Sequence, residues 1–230
     1  MASPDFAKTD STALTPGDLC FLMEHFPPPG RNSAEIATVI GELPSTLESL
    51  LESDYVSERI LNQRGLLLDV SPFLFFNVLL RRVLPGRRTA LERKVINYIA
   101  NLLSLFVKVD RLYRIRPNDA VTHEYIVDMI NQIPEADPSR RFAIYAHIGN
   151  FALFLTGMFP DWIEHRFRFK HRPVDRKYYE DHGGAYYHQA GVHPLADELE
   201  LQDVFLRLAL DFDHYGKALN QMRNRFFESA

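Results

Sequence analysis

From Phe142 to Phe159 the chain carries no Asp, Glu, Lys or Arg, and this stretch follows directly on Arg140 and Arg141. A run of this kind has two physical outlets, a span through lipid or the inside of a folded domain. Its length is at the lower edge of a spanning helix. It also contains His147, Asn150, Thr156 and two glycines, and it ends at Pro160. Polar groups are costly in hydrocarbon. The segment is therefore predicted to be the buried central helix of a water-soluble protein, with no membrane association.

The rest of the chain offers helices to surround such an axis. Hydrophobic residues make up 46% of the 230 residues, with 17 Phe and 10 Tyr, enough for a sizeable core. Ser71-Pro72 is a helix start, with the cap at Ser71 and proline at the first helical position; the segment to Leu84 is apolar nearly all round and should also be central. Thr89 is expected to cap a long helix from Ala90 to about Leu112, and Asn118 or Asp119 another that ends before Pro134. Earlier, a short helix is expected from Asp18 to Phe26, one from Asn32 or Ser33 to Leu43, and one opened by the capping-box pattern Ser45-Thr46-Leu47-Glu48. Asp175 to Ala190 reads as an aromatic helix interrupted at Gly183-Gly184. Pro194 opens a last helix running close to the C-terminus. In it Leu201, Phe205, Leu208, Phe212, Tyr215, Leu219, Met222 and Phe226 alternate spacings of four and three. Leu199, Leu206 and Leu210 widen this face, which favours packing inside the chain, with self-association through 201–226 as the alternative.

These signals predict an all-α fold: one compact domain over 1–230, an orthogonal or bundle arrangement of about eight to ten helices with a long C-terminal helix, and residues 1–17 as a loose arm. Leu66–Val70 and Arg141–Ile148 have some strand character and are the minority alternative.

Several function classes are excluded or disfavoured. Cys20 is the sole cysteine, so an internal disulfide and a multi-thiolate zinc site are ruled out; Cys20 itself is expected to be a small buried hydrophobe. There is no GxGxxG, no GxxxxGK[ST], no GxSxG, no HExxH and no HxE…PCxxC pattern. Met1 to Ser11 has neither a basic nor an apolar leader region, so no signal peptide is expected and the location is read as cytoplasmic. The net charge of −4 conceals a split: residues 1–80 balance at −7, 81–177 at +8 and 178–230 at −5. That pattern fits either internal pairing between segments or a basic face for an anionic partner.

Four constellations could carry chemistry. His147 and Asn150 share a face of the uncharged helix and need polar partners or a ligand. Tyr178, His182 and Tyr186 stack at i, i+4, i+8 beside two glycines, an arrangement open to tight aromatic packing or to a haem-like or other flat cofactor. Asp211 and His214 lie at i, i+3, as metal ligands can, but further ligands are lacking. Arg81, Arg82, Arg87 and Arg88 form one basic cluster, and Arg168 and Arg172, among aromatics, belong to a second; these are the candidates for anion or nucleic-acid contacts.

The segments Ser71-Pro72-Phe73-Leu74-Phe75-Phe76-Asn77-Val78-Leu79-Leu80-Arg81-Arg82 and Gly149-Asn150-Phe151-Ala152-Leu153-Phe154-Leu155-Thr156-Gly157-Met158-Phe159-Pro160 resemble those of a loosely defined group of uncharacterised bacterial helical proteins. The resemblance covers about the middle half of the chain. It implies an all-helical fold and carries over no activity and no functional residue. The function expected is that of a non-catalytic accessory or protein-interaction module. A cofactor- or metal-binding helical protein, possible as an enzyme, is the alternative, and a nucleic-acid-binding protein the third; the cofactor itself is unknown.

Overall fold

The computed structural model describes residues 4–24, 44–62, 70–84, 86, 88–169 and 174–227. Among these the protein has thirteen α-helices and no strand. In chain order they are α1 (Pro16–Glu24), α2 (Pro44–Leu51), α3 (Asp54–Asn62), α4 (Pro72–Val83), α5 (Ala90–Phe106), α6 (Val109–Tyr113), α7 (Ile126–Ile130), α8 (Pro138–Met158), α9 (Pro160–Phe169), α10 (Arg176–Gly191), α11 (Pro194–Glu198), α12 (Gln202–Leu210) and α13 (Phe212–Phe226). The all-α expectation holds, with more and shorter helices than the eight to ten read from the sequence.

Local chemistry sets most helix starts. Ser71 accepts from the Leu74 amide, Asp137 from the Arg140 amide and Asp175 from the Tyr178 amide, each placing a side-chain oxygen on an otherwise unpaired N–H. Thr89 and Glu92 cap each other reciprocally at the start of α5.

Helix α8 is the axis. Fourteen of its residues are buried, among them Phe142, Ile144, His147, Asn150, Phe151 and Leu153. It packs on α10 and α13; α10 packs on α12, α12 on α5, α5 on α4, and α4 on α13. These six helices close a circuit around one core. The α8–α10 contact is tight because both helices present glycines. A Cβ on Gly149 would lie 2.6 Å from Cδ1 of Tyr187, and one on Gly183 would lie 2.9 Å from Cβ of Ala152. Arg141–Ile148, the segment with some strand character, lies inside α8; Leu66–Asp69 lies outside the described residues, as do the connector from Pro27 and the helix expected over 32–43. No single helix among the described residues is long and apolar enough to cross a membrane. The α8–α9 pair passes on length and composition but is bent by 89° at its break.

Six expectations need correction, the last of them in the C-terminal helix. The arm is not loose over residues 4–14. Phe6 and Leu14 are buried, Asn97 and Asn101 of α5 donate to the main-chain carbonyls of Thr9 (3.0 Å) and Asp5 (2.9 Å), and Arg111 grips the Asp5 carboxylate through Nε (2.7 Å) and Nη2 (2.8 Å). Cys20 is exposed, because the buried side of α1 carries Asp18, Phe21, Leu22 and Met23. The helix expected over 90–112 stops at Phe106 and restarts as α6, leaving Val109, part of the apolar repeat, 67% exposed. The helix expected from Asn118 shrinks to α7, since Asp119 accepts from the Arg116 amide (2.9 Å) and from Arg140 instead of capping a helix. Gly183-Gly184 does not interrupt α10; the pair makes room for neighbours.

The last helix is three. After α11 the chain passes through Glu200 at φ 54°, with Leu201 N–H donating to Ala196 O (2.7 Å) and Glu200 N–H to Asp197 O (3.0 Å), the paired bonds of a Schellman turn. A second break follows at Asp211. The alternating seam nevertheless survives the breaks. Leu201, Phe205, Leu208, Phe212, Tyr215, Leu219 and Met222 are all buried within this chain, while Leu210 is 76% exposed.

Candidate functional site

The centre of the molecule is a neutral polar knot. Asn150 of α8 places Oδ1 between two phenols: Tyr98 of α5 donates to it at 2.8 Å and Tyr187 of α10 at 2.9 Å. All three side chains are buried. Burial pushes both phenols up from their ordinary value, so they remain protonated donors. Phe205 completes the surroundings, edge-on to Tyr98 at 5.3 Å between centroids and stacked on Tyr187 at 5.8 Å. Neither tyrosine stood out in the sequence, since only the tertiary fold brings them to Asn150.

His147 lies one turn away and has a different role. Its Nε2 sits 3.1 Å from the Leu112 carbonyl, with the ring against Phe106 and Phe151. Donation from Nε2–H to that carbonyl fixes the tautomer. Burial, with the Arg111 charge adding to it, lowers the imidazole to about 3, so the ring is neutral at ordinary pH. His147 and Asn150 thus serve separate neighbours.

The aromatic ladder of α10 forms as expected. Tyr178 and His182 are 4.1 Å apart between centroids, His182 and Tyr186 6.3 Å, and Tyr145 from α8 joins Tyr186 at 5.8 Å. His182 Nδ1 is 2.9 Å from the Tyr178 carbonyl, which assigns its proton to Nδ1. Tyr145, His182 and Tyr186 border a groove of about 440 Å³ together with Ile133, Ala185 and Gln189. His147 and His182 therefore occupy unrelated surroundings, one sealed and one at the surface.

The first basic cluster turns inward. Arg81 is 4% exposed; Nη1 contacts Glu48 (2.8 Å) and Glu52 (3.2 Å), and Nε donates to Asn77 Oδ1 (2.8 Å). Burial lowers its pKa, with the bond from Glu48 opposing. Arg82 pairs with Asp54, and Arg88 with Glu52 (2.8 Å) while donating to the carbonyls of Arg81 and Leu84. The acidic N-terminal third and the basic middle thus neutralise each other, which was one of the two readings of the charge split. Arg168 pairs with Glu164 along α9, and Arg166 lies over the Trp162 ring at 4.4 Å. Arg87 and Arg172 lie outside the described residues.

Asp211 pairs with Arg207 at 2.9 Å, and His214 packs against Tyr215. Among the described residues no group of three or more His, Cys, Asp or Glu is placed to hold a metal ion. The sequence reading also missed a cleft of about 920 Å³ between the arm, residues 115–119, the start of α8, and α11. No motif marks it, because its lining comes from four separate parts of the chain. No family model, no curated protein and no solved structure matches the chain.

Proposed function

We propose that this protein is a cytoplasmic, non-catalytic accessory or interaction module, of the bacterial helical group that its central segments resemble. The observation that carries this reading is the stacked strip Tyr178-His182-Tyr186 with Tyr145, half-buried on the outer side of the α8–α10 pair. Rigid aromatic side chains with polar tips lose little entropy on contact and anchor protein interfaces. The core chemistry supports the same reading: Asn150, Tyr98, Tyr187 and His147 hold helices together.

The test is co-purification of the full chain from its native host, beside the double variant His182→Ser, Tyr186→Ser. A stoichiometric partner kept by the wild type and lost from a variant of unchanged melting temperature supports the proposal. Both forms purifying alone as monomers overturn it.

A second reading has one observation in its favour. With Nδ1–H held by the Tyr178 carbonyl, the other ring nitrogen of His182 has a defined lone pair beside the groove. A flat cofactor would stack on the strip and use that nitrogen. Titration with haemin followed by absorption checks it: a band shift present in the wild type and lost in His182→Gln favours this reading, and identical spectra discard it.

A further inference from the structure

The cleft between the arm and α11 has Phe6, Ile115, Phe142, Leu195 and Leu199 in its lining. At about 920 Å³ it falls in the range of small-molecule pockets, and its lining mixes these apolar side chains with Asp5, Arg116, Asn118, Asp119, Ser139 and Glu198. The charges around it are unequally matched. Asp5 is held by both Nε and Nη2 of Arg111, and Asp119 by Arg140 Nη1 at 2.9 and 2.6 Å. Those two carboxylates are neutralised. Arg116, also in the lining, forms no ion pair among the described residues. Its guanidinium is nevertheless oriented: Nη2 donates to Ser139 Oγ at 3.0 Å, and its main-chain N–H is fixed by Asp119 at 2.9 Å. Glu198 also borders the cleft, but at an exposed position on α11 where water screens it.

From this arrangement we infer that the cleft is a binding site for a small amphipathic monocarboxylate, its apolar body on the Phe6–Phe142 floor and its carboxylate on Arg116. A half-buried, pre-oriented guanidinium is the residue suited to a carboxylate, since its fork matches the two oxygens and little freedom remains to be lost. The inference is independent of the aromatic strip, which lies on other residues.

The experiment uses the full chain and three probes of equal length: octanoate, octylammonium and octanol. Binding is followed by calorimetry and by the amide resonances of Arg116, Asp119 and Ser139. Octanoate is expected to bind and to shift those resonances, with octanol and octylammonium at least tenfold weaker. Arg116→Gln should lose at least tenfold for octanoate, and Arg116→Lys, which keeps the charge, should recover part of it. Equal binding of octanol, preference for octylammonium, or no shift at these amides overturns the inference. If Arg116→Gln proves unfolded, the probe series and Arg116→Lys on the intact protein decide the matter alone.

Discussion

Between α5, α8 and α10 the buried polar groups are all neutral, whereas beneath α2 and α3 the buried group is a guanidinium. The neutral knot has one acceptor, Asn150 Oδ1, for two phenolic donors. The charged cluster is redundant: Glu48 contacts Arg81 and, at 3.3 Å, Arg93, while Glu52 contacts Arg81 and Arg88. The contrast follows from access to water. Glu52 keeps a 39% exposed side chain, so charge there is only partly desolvated. At Asn150 there is no such outlet, and an ion would face the full penalty of burial. A polar centre sealed on every side is therefore neutral and fragile, and one whose carboxylates reach water can be charged and tolerant.

Asn150→Leu should have the largest effect. It orphans two buried hydroxyls at roughly 1–3 kcal/mol each, so a loss of about 2–6 kcal/mol is expected in urea denaturation. A loss under about 1 kcal/mol would break the comparison. Arg81→Met should cost less, about 1–3 kcal/mol, because Glu48 and Glu52 each retain an arginine. If it exceeded Asn150→Leu, the ranking of the two regions would be inverted.

His147 sharpens the contrast through pH. Its folded pKa of about 3 lies below the ordinary value of 6.5, so on acidification the unfolded chain takes up the proton first. Stability contributed by the neutral ring is complete above pH 6.5 and declines as pH falls toward 3. From pH 7 to 5 this amounts to about 2 kcal/mol. His147→Gln, which keeps an N–H for the Leu112 carbonyl, should remove that part of the slope; equal slopes for variant and wild type would contradict the assignment. Lys94→Ala, which removes an exposed pair with Glu200 (3.1 Å), should change stability by less than about 0.5 kcal/mol.

What the sequence disclosed was periodic or local. The uncharged run at 142–159 named the axis, and the Ser71 and Thr89 caps fixed two helix starts to the residue. The alternating seam from Leu201 identified a buried face yet hid two breaks. The apolar register continues across Asp211, and the turn at Glu200 uses a non-glycine residue where glycine would have signalled it. For the site, the ladder Tyr178-His182-Tyr186 was visible because its members share one helix. The partners of Asn150 were not, since Tyr98 and Tyr187 are 52 and 37 residues away. The arginines at 81, 82 and 88 looked like a surface for anions because their carboxylates lie 28 to 36 residues upstream.

The arm gains a kinetic meaning from its anchors. Its partners on α5 and at Arg111 are 88, 96 and 106 residues further along the chain. Loops of that size close slowly. The arm can be fastened only once α5 and Arg111 are in place to receive it. Until then Phe142 has no Phe6 beside it, and the 920 Å³ cleft lacks a wall. Any ligand of that cleft would favour the chain with its arm fastened over the chain with its arm free.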